Sequence, residues 1–259
     1  MSLFETGVIP AFNDYILKRS QEKRDYGNYW SASSAGYCMR KQMFERLGVP
    51  PVKEDARKYR VFEAGHVFHK FMQDITKEAG LSIAQELELQ SDDIMVRGHI
   101  DDLILVDNNL ILYDYKSVSS RSFSYQKKRT TSKEVQSHYH RLQLATYMYM
   151  LRRKPNIVSD ERFSTENLTE ARICKISKDD LRMVEEQLLW TPQLEKEIVG
   201  YWSTLNGYWK ERKFPKCTCA DYEGGFLAKE AYNPYFYNDE PCSIEWFKLK
   251  KAEGVLKDV

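Results

Sequence analysis

Asp101, Asp114 and Lys116 are the residues of this chain whose types and spacing best suit chemistry. They lie within residues 98–116, GHIDDLILVDNNLILYDYK, which read as two apolar strands joined by a turn. Ile94, Val96, Ile100, Ile104 and Val106 fill the first strand, and residues 110–115 the second. Asp107-Asn108-Asn109 tolerates the positive φ that a tight hairpin needs. With Asp107-Asn108 as a two-residue loop, Val106 pairs with Asn109 and Asp101 comes to lie opposite Asp114. Opposed residues point to one face, about 4.5–5.5 Å apart at Cβ. Alternation then puts Lys116 on the face of Asp114, and Tyr113 and Tyr115 on the other. A three-residue loop without a bulge would instead align Asp101 with Tyr115 and break the arrangement.

Two carboxylates that close repel, and a hard divalent cation with oxygen ligands relieves them. Asp-x-Lys also suits a solvated hairpin face. Against that stands the apolar content of the flanks, which predicts a strand buried on both faces, where charges need partners.

Several elements must position this hairpin. Residues 10–24 read as a helix with Phe12, Tyr15 and Ile16 on one side. Serines at 31–34 precede a second helix that Gly48-Val49-Pro50-Pro51 stops. Residues 57–78 form a long helix whose apolar stripe is Val61, Ala64, Phe68, Phe71, Met72 and Ile75. His66 falls opposite that stripe and faces solvent. His69 lies nearer its edge, within reach of the hairpin carboxylates or as a hydrogen-bonded histidine at a helix–sheet boundary. Residues 82–90 make a strand in which Glu86 and Glu88 alternate with Leu87 and Leu89.

After the hairpin, residues 117–135 are a polar loop too long for a mere connector. Its Arg121, Lys127, Lys128 and Arg129, interleaved with Phe123 and Tyr125, suit tracking and stacking on a single nucleic-acid strand, or a solvated excursion. Residues 136–152 are a helix ended by Pro155, with Gln143 and Tyr147 one turn apart on one face, and His138, His140 and Arg141 adding positive charge at its start. Residues 171–177 form a strand containing Cys174, and 178–212 a helical region interrupted near Thr191-Pro192. The tail, with Cys217, Cys219 and Cys242, has few regular patterns.

A chain of 259 residues can bury a large core. Its net charge of +1 predicts no nucleic-acid partner by itself, so any basic surface is local. No apolar window is long enough to span a membrane, and the N-terminus lacks the basic-then-apolar pattern of a signal peptide. Five cysteines without a secretory signal suggest a cytoplasmic protein with free or metal-bound thiols.

In order, Gly98-x-Ile100-Asp101, Asp114-Tyr115-Lys116 and Gln143-x-x-x-Tyr147 resemble the PD-(D/E)XK nucleases, specifically the RecB-type exonuclease branch. The resemblance implies an α/β, restriction-endonuclease-like core with a mixed central sheet flanked by helices, in which N- and C-terminal segments join beside the site. The expected organisation is an N-terminal helical segment over 1–55, the nuclease core over 56–177 and a C-terminal segment over 178–259. The implied activity is metal-dependent exonucleolytic hydrolysis of DNA, in recombination, repair or phage or CRISPR DNA processing. Asp101, Asp114, the Tyr115 carbonyl and His69 (through Gly65-x-x-x-His69) would hold Mg²⁺ or Mn²⁺, with Lys116 beside them and Gln143 and Tyr147 lining the DNA channel. Arg121, Lys127, Lys128, Arg129 and Arg141 would contact DNA.

Ser-x-x-x-Tyr-Cys-x-Arg-Lys around Cys38 is similar to the first cluster-cysteine segment of the iron–sulfur members, so Cys38, Cys217, Cys219 and Cys242 would carry a 4Fe–4S cluster. The last three are spaced unlike the family's compact triplet, which leaves zinc or free thiols open. A noncatalytic DNA-binding or assembly module, a structure-specific endonuclease and a sequence-specific restriction endonuclease are the alternatives.

Overall fold

The computed structural model describes residues 7–21, 27–52, 56–120, 137–155, 157–158, 164–221, 228–229 and 233–256. Six helices occur among them: α1 (Val8–Gln21), α2 (Met39–Arg46), α3 (Ala56–Glu78), α4 (His138–Arg152), α5 (Pro192–Lys210) and α6 (Ile244–Ala252). The eight strands are β1 (Trp30–Ser31), β2 (Ser82–Gln85), β3 (Glu88–Ser91), β4 (Val96–His99), β5 (Asp102–Val106), β6 (Asn109–Val118), β7 (Glu170–Ser177) and β8 (Met183–Leu189).

The central sheet has the order β2-β5-β6-β7-β8. It is mixed: β6 and β7 run parallel, with α4 between them in sequence, while the other neighbours are antiparallel. Asp107 and Asn108 take φ of 48° and 64°, which sets the two-residue turn and pairs Val106 with Asn109. Tyr113, Tyr115, Cys174 and Ile176 pack with Met72 and Phe68 of α3 on one face. On the other face Leu103, Leu112, Ala171 and Ile173 join Leu142, Ala145 and Met148 of α4 and Ile198 and Trp202 of α5. Alternation along β6 therefore turns Asp114 and Lys116 toward α4 and both tyrosines toward α3.

Four expectations need correction. The strand expected to run unbroken into the turn is two strands, because the chain leaves β4 at Ile100-Asp101; β4 belongs to a second sheet, β1-β4-β3. The strand expected over 82–90 likewise breaks at Glu86, whose φ is 50°. The stretch after β7 is the edge strand β8 and not helix, since β7 supplies a ladder that its helix-favouring Glu185, Glu186 and Gln187 cannot outweigh. The stripe on α3 is also displaced. Val61, Phe71 and Ile75 are exposed, while Met72, Gln73 and Thr76 are buried, because the sheet-facing side carries hydrogen-bonding groups for hairpin carboxylates.

Candidate active site

Asp114 sits in the middle of β6, 5% exposed. Its Oδ1 accepts hydrogen bonds from Lys116 Nζ and from Gln143 Nε2 of α4, each at 3.0 Å. Its Oδ2 lies 2.8 Å from Lys116 Nζ as an ion pair but is buried without a hydrogen bond. Burial, and then the neighbouring Asp101 charge, push the Asp114 carboxyl up against the pull of Lys116. Burial opposes the Lys116 ammonium too, but Asp114 and Asp101 hold its pKa above the ordinary value.

Asp101 follows the break after β4. The β5–β6 ladder ends at Asp102–Tyr113, so Asp101 is not a formal pair of Asp114, and its carboxylate reaches β6 differently. Oδ2 accepts from the Tyr115 backbone N–H at 2.8 Å and lies 3.3 Å from His69 Nδ1 of α3. Burial works against both charges, yet the Asp101–His69 contact prevails: it holds the carboxyl below and the imidazole above their ordinary values. His66 is 69% exposed, on the solvent side as expected. Gln73 Nε2 donates to the Asp101 carbonyl and to Glu86 Oε1, both at 3.0 Å, so α3 fixes Glu86 beside this corner.

Asp102 serves another purpose. It is fully buried, and its oxygens accept from Thr76 Oγ1 at 2.6 Å, Ser82 Oγ at 2.5 Å, Tyr115 Oη at 3.0 Å and Gln85 Nε2 at 3.2 Å. A carboxylate so supplied with donors holds α3 to the hairpin.

The donor set fits a divalent cation. Two ligands on adjacent corners of an octahedron, each about 2.1 Å from the ion, stand about 3 Å apart, and the Asp101 and His69 donors are 3.3 Å apart. Asp114 Oδ2, buried without a hydrogen bond and facing only the Lys116 ammonium, is an oxygen in the same pocket that a cation would also satisfy.

Residues 40–218 match the PD-(D/E)XK nuclease superfamily. The chain belongs to that superfamily. No curated protein matches the sequence. Among solved structures, the chain is similar to SSO0001, at 13% identity and a TM-score of 0.48 over 84% of this chain and 96% of that one. It is similar also to an alkaline exonuclease from Laribacter hongkongensis (11%, TM-score 0.44, 71% and 89%). A phage-related exonuclease from Haemophilus somnus 129PT matches at 13%, with a TM-score of 0.42 over 67% and 80%.

In this PD-(D/E)XK chain the other expected residues are distributed unevenly. Tyr147 is 4% exposed, packed over Gly98, where an added Cβ would come within 2.9 Å of its hydroxyl; it is part of the core and not of an open channel wall. Arg141 is paired with Glu197 of α5. His140 adds no positive charge: burial, with the Lys116 and Lys175 ammoniums, pushes it down to about 3. Arg121, Lys127, Lys128 and Arg129 lie outside the described residues.

Sequence reasoning missed Lys175 and Glu186. Lys175 is the register neighbour of Lys116 across β6–β7, 3% exposed, and ion-paired with Glu186 of β8. The signal was a charge inside the apolar run Ile173-Cys174-Lys175-Ile176, which needs a buried partner.

Cys38, Cys217, Cys219 and Cys242 converge on one point, their sulfurs all within 4.8 Å of one another. Cys38 Sγ and Cys217 Sγ are 3.8 Å apart, Cys219 Sγ and Cys242 Sγ 3.4 Å. Four thiols in this arrangement are a candidate metal centre, and they join the segment before α2 to the tail. Cys174 stands apart in the sheet core.

Proposed function

We propose that this chain is a metal-dependent DNA exonuclease, hydrolysing phosphodiester bonds with Mg²⁺ or Mn²⁺ held by Asp101, Asp114, His69 and the Tyr115 carbonyl. The observation that carries the reading is the convergence of Asp101, Asp114, His69 and Lys116 at one end of the hairpin, with Asp114 Oδ2 buried and without a hydrogen bond. An imidazole ligand favours Mn²⁺ more than an all-oxygen site does. When bound, the cation supplies an activated water, charge stabilisation at phosphorus and neutralisation of the leaving oxygen.

The chain's own groups prepare this. The Tyr115 N–H and His69 fix the Asp101 carboxylate, Gln143 fixes that of Asp114, and Lys116 keeps its proton on Nζ, where it orients the phosphate. Arg121, Lys127, Lys128 and Arg129 contact the DNA backbone in this reading, and residues 1–55 and 178–259 flank a nuclease core over 56–177. A noncatalytic DNA-binding module is disfavoured, because such a copy has no need to retain the whole ligand set.

The test is digestion of end-labelled single- and double-stranded DNA, with and without Mn²⁺, beside a covalently closed circle. Metal-dependent shortening from ends that spares the circle supports the proposal. Cleavage of the circle would replace it with an endonuclease, and intact DNA with every metal would leave the binding module.

A further inference from the structure

The ring nitrogen Nδ1 of His140 is buried without a hydrogen bond. His140 sits in the first turn of α4, where the Ser137 hydroxyl caps the helix by accepting from the His140 backbone N–H at 3.5 Å. It precedes Gln143 by one turn, so the two share a helix face. Gln143 Nε2 donates to Asp114 Oδ1 at 3.0 Å, so that face looks onto β6. As the crossover between the parallel strands β6 and β7, α4 runs antiparallel to both. From Gln143 back to His140 is about 4.5 Å along the helix. From Asp114 on to Lys116 is about 6.6 Å along the strand, in the same direction. The imidazole therefore lies over the register pair Lys116 and Lys175. Burial first, and then those two ammonium charges, keep it unprotonated.

His140 thus offers an acceptor with no donor, and Lys116 is a donor whose acceptors are contested. In the metal-free chain Lys116 Nζ lies 3.0 Å from Asp114 Oδ1 and 2.8 Å from Oδ2, over the oxygens that a cation would use. A cation on Asp114 repels that ammonium and competes for the same carboxylate. The Lys116 side chain is 24% exposed and has room to turn. Lys175 faces no such competition, because Glu186 holds it.

We propose that His140 is a positioning residue of the nuclease site: with its proton on Nε2, its Nδ1 accepts a hydrogen bond from Lys116 Nζ when Lys116 yields Asp114 to the cation. The ammonium is then held off the carboxylate and kept beside the phosphate. A protonated imidazole has no lone pair at Nδ1 and would repel Lys116, so the role requires the neutral ring. The inference rests on the metal-dependent reading of Asp114 given above.

Calorimetric Mn²⁺ binding in a double-mutant cycle tests it. His140→Phe should weaken binding on the order of tenfold, the worth of one hydrogen bond from a charged donor. In a Lys116→Met background the same change should have no effect, since no ammonium then needs a second acceptor. His140→Asn, whose amide oxygen falls near the place of Nδ1, should keep most of the affinity. In the wild type, Mg²⁺ should move the nitrogen-15 resonance of His140 Nδ1 toward that of a hydrogen-bonded acceptor. Equal losses in both backgrounds would make His140 a ligand or a packing residue and overturn the proposal. Undiminished binding in His140→Phe, or an unmoved resonance, would overturn it too. If His140→Phe does not fold, the wild-type resonance still decides. A wild-type chain that binds neither Mn²⁺ nor Mg²⁺ would overturn the metal reading and this inference with it, whereas binding with an additive cycle overturns this inference alone.

Discussion

The backbone N–H of Tyr115 donates to the Asp101 carboxylate at 2.8 Å, while the hydroxyl of the same residue donates to Asp102 at 3.0 Å. Two consecutive aspartates thus grip both ends of one tyrosine. Asp101 stays at the pocket, and Asp102 turns into the α3 face.

Replacing each therefore has a different result. Asp101→Ala should abolish cleavage and the Mn²⁺-induced rise in Tm, and Asp114→Ala should do the same. Asp102→Ala strands Thr76, Ser82, Gln85 and the Tyr115 hydroxyl, at about 1–3 kcal/mol for each donor left unmet, so its metal-free Tm should fall by many degrees. Thermal melts with and without Mn²⁺ check both, and near-normal turnover by Asp101→Ala would contradict the site.

In the proposed site, His69 should make metal binding depend on pH. Burial lowers its pKa, but Asp101 outweighs burial and keeps the imidazole above its ordinary value. In the metal-free chain the His69–Asp101 contact contributes stability that is full below the unfolded value of about 6.5 and is lost as pH rises through the raised folded value. A cation must displace that proton, so Mn²⁺ affinity should weaken as pH falls through the same window. Calorimetric titrations across this range should show the trend in wild type and in His66→Ala, and a weaker, flatter response in His69→Ala. The reverse assignment of the two histidines would refute the role given to His69.

Lys116 and Lys175 are register neighbours with unequal tasks. Lys116→Ala should lower the cleavage rate by on the order of 10² while Mn²⁺ binding survives. Lys175→Ala leaves Glu186 buried without its ion pair, a loss of about 3–5 kcal/mol. The double change Lys175→Met with Glu186→Leu should recover most of that stability in a urea melt, and failure to recover it would mean that the pair does more than satisfy itself.

Gly98 has no room for a methyl group. An added Cβ would lie 2.8 Å from Ala32 Cβ and 2.9 Å from Tyr147 Oη. Gly98→Ala should cost about 1–3 kcal/mol through overpacking, measurable by denaturant titration. A second change, Ala32→Gly, should return part of it.

The hairpin register was legible because Asp107-Asn108 leaves the chain one economical way to turn, and the turn fixes every pair behind it. The helix carrying Gln143 was legible from its apolar spacing and its Pro155 stop. The break at Ile100-Asp101 was not, since apolar residues continue on both sides and only the two-sheet packing separates them. Strand β8 and the Lys175–Glu186 pair were hidden for a related reason: an edge strand rich in glutamate takes its conformation from the neighbour it pairs with. Helix α6 lay within a tail whose pattern is aromatic and not periodic, and its Ser243 cap, which accepts from the Trp246 N–H, was the local sign of its start.

Cys38 and Cys217 are 179 positions apart in sequence. If a common metal centre held their sulfurs, the chain between them would become a closed ring that contains α2 through α5 and β2 through β8. Among the described residues α1, β1 and a single 3-10 turn at Ala32–Ser34 precede the ring, and α6 follows its last ligand. A motor that unravels proteins by pulling on one terminus would meet the clasp before any strand of the central sheet. Resistance to extraction from either end would then be set by metal–thiolate bonds and not by the sheet, and a chelator would open the way for the motor.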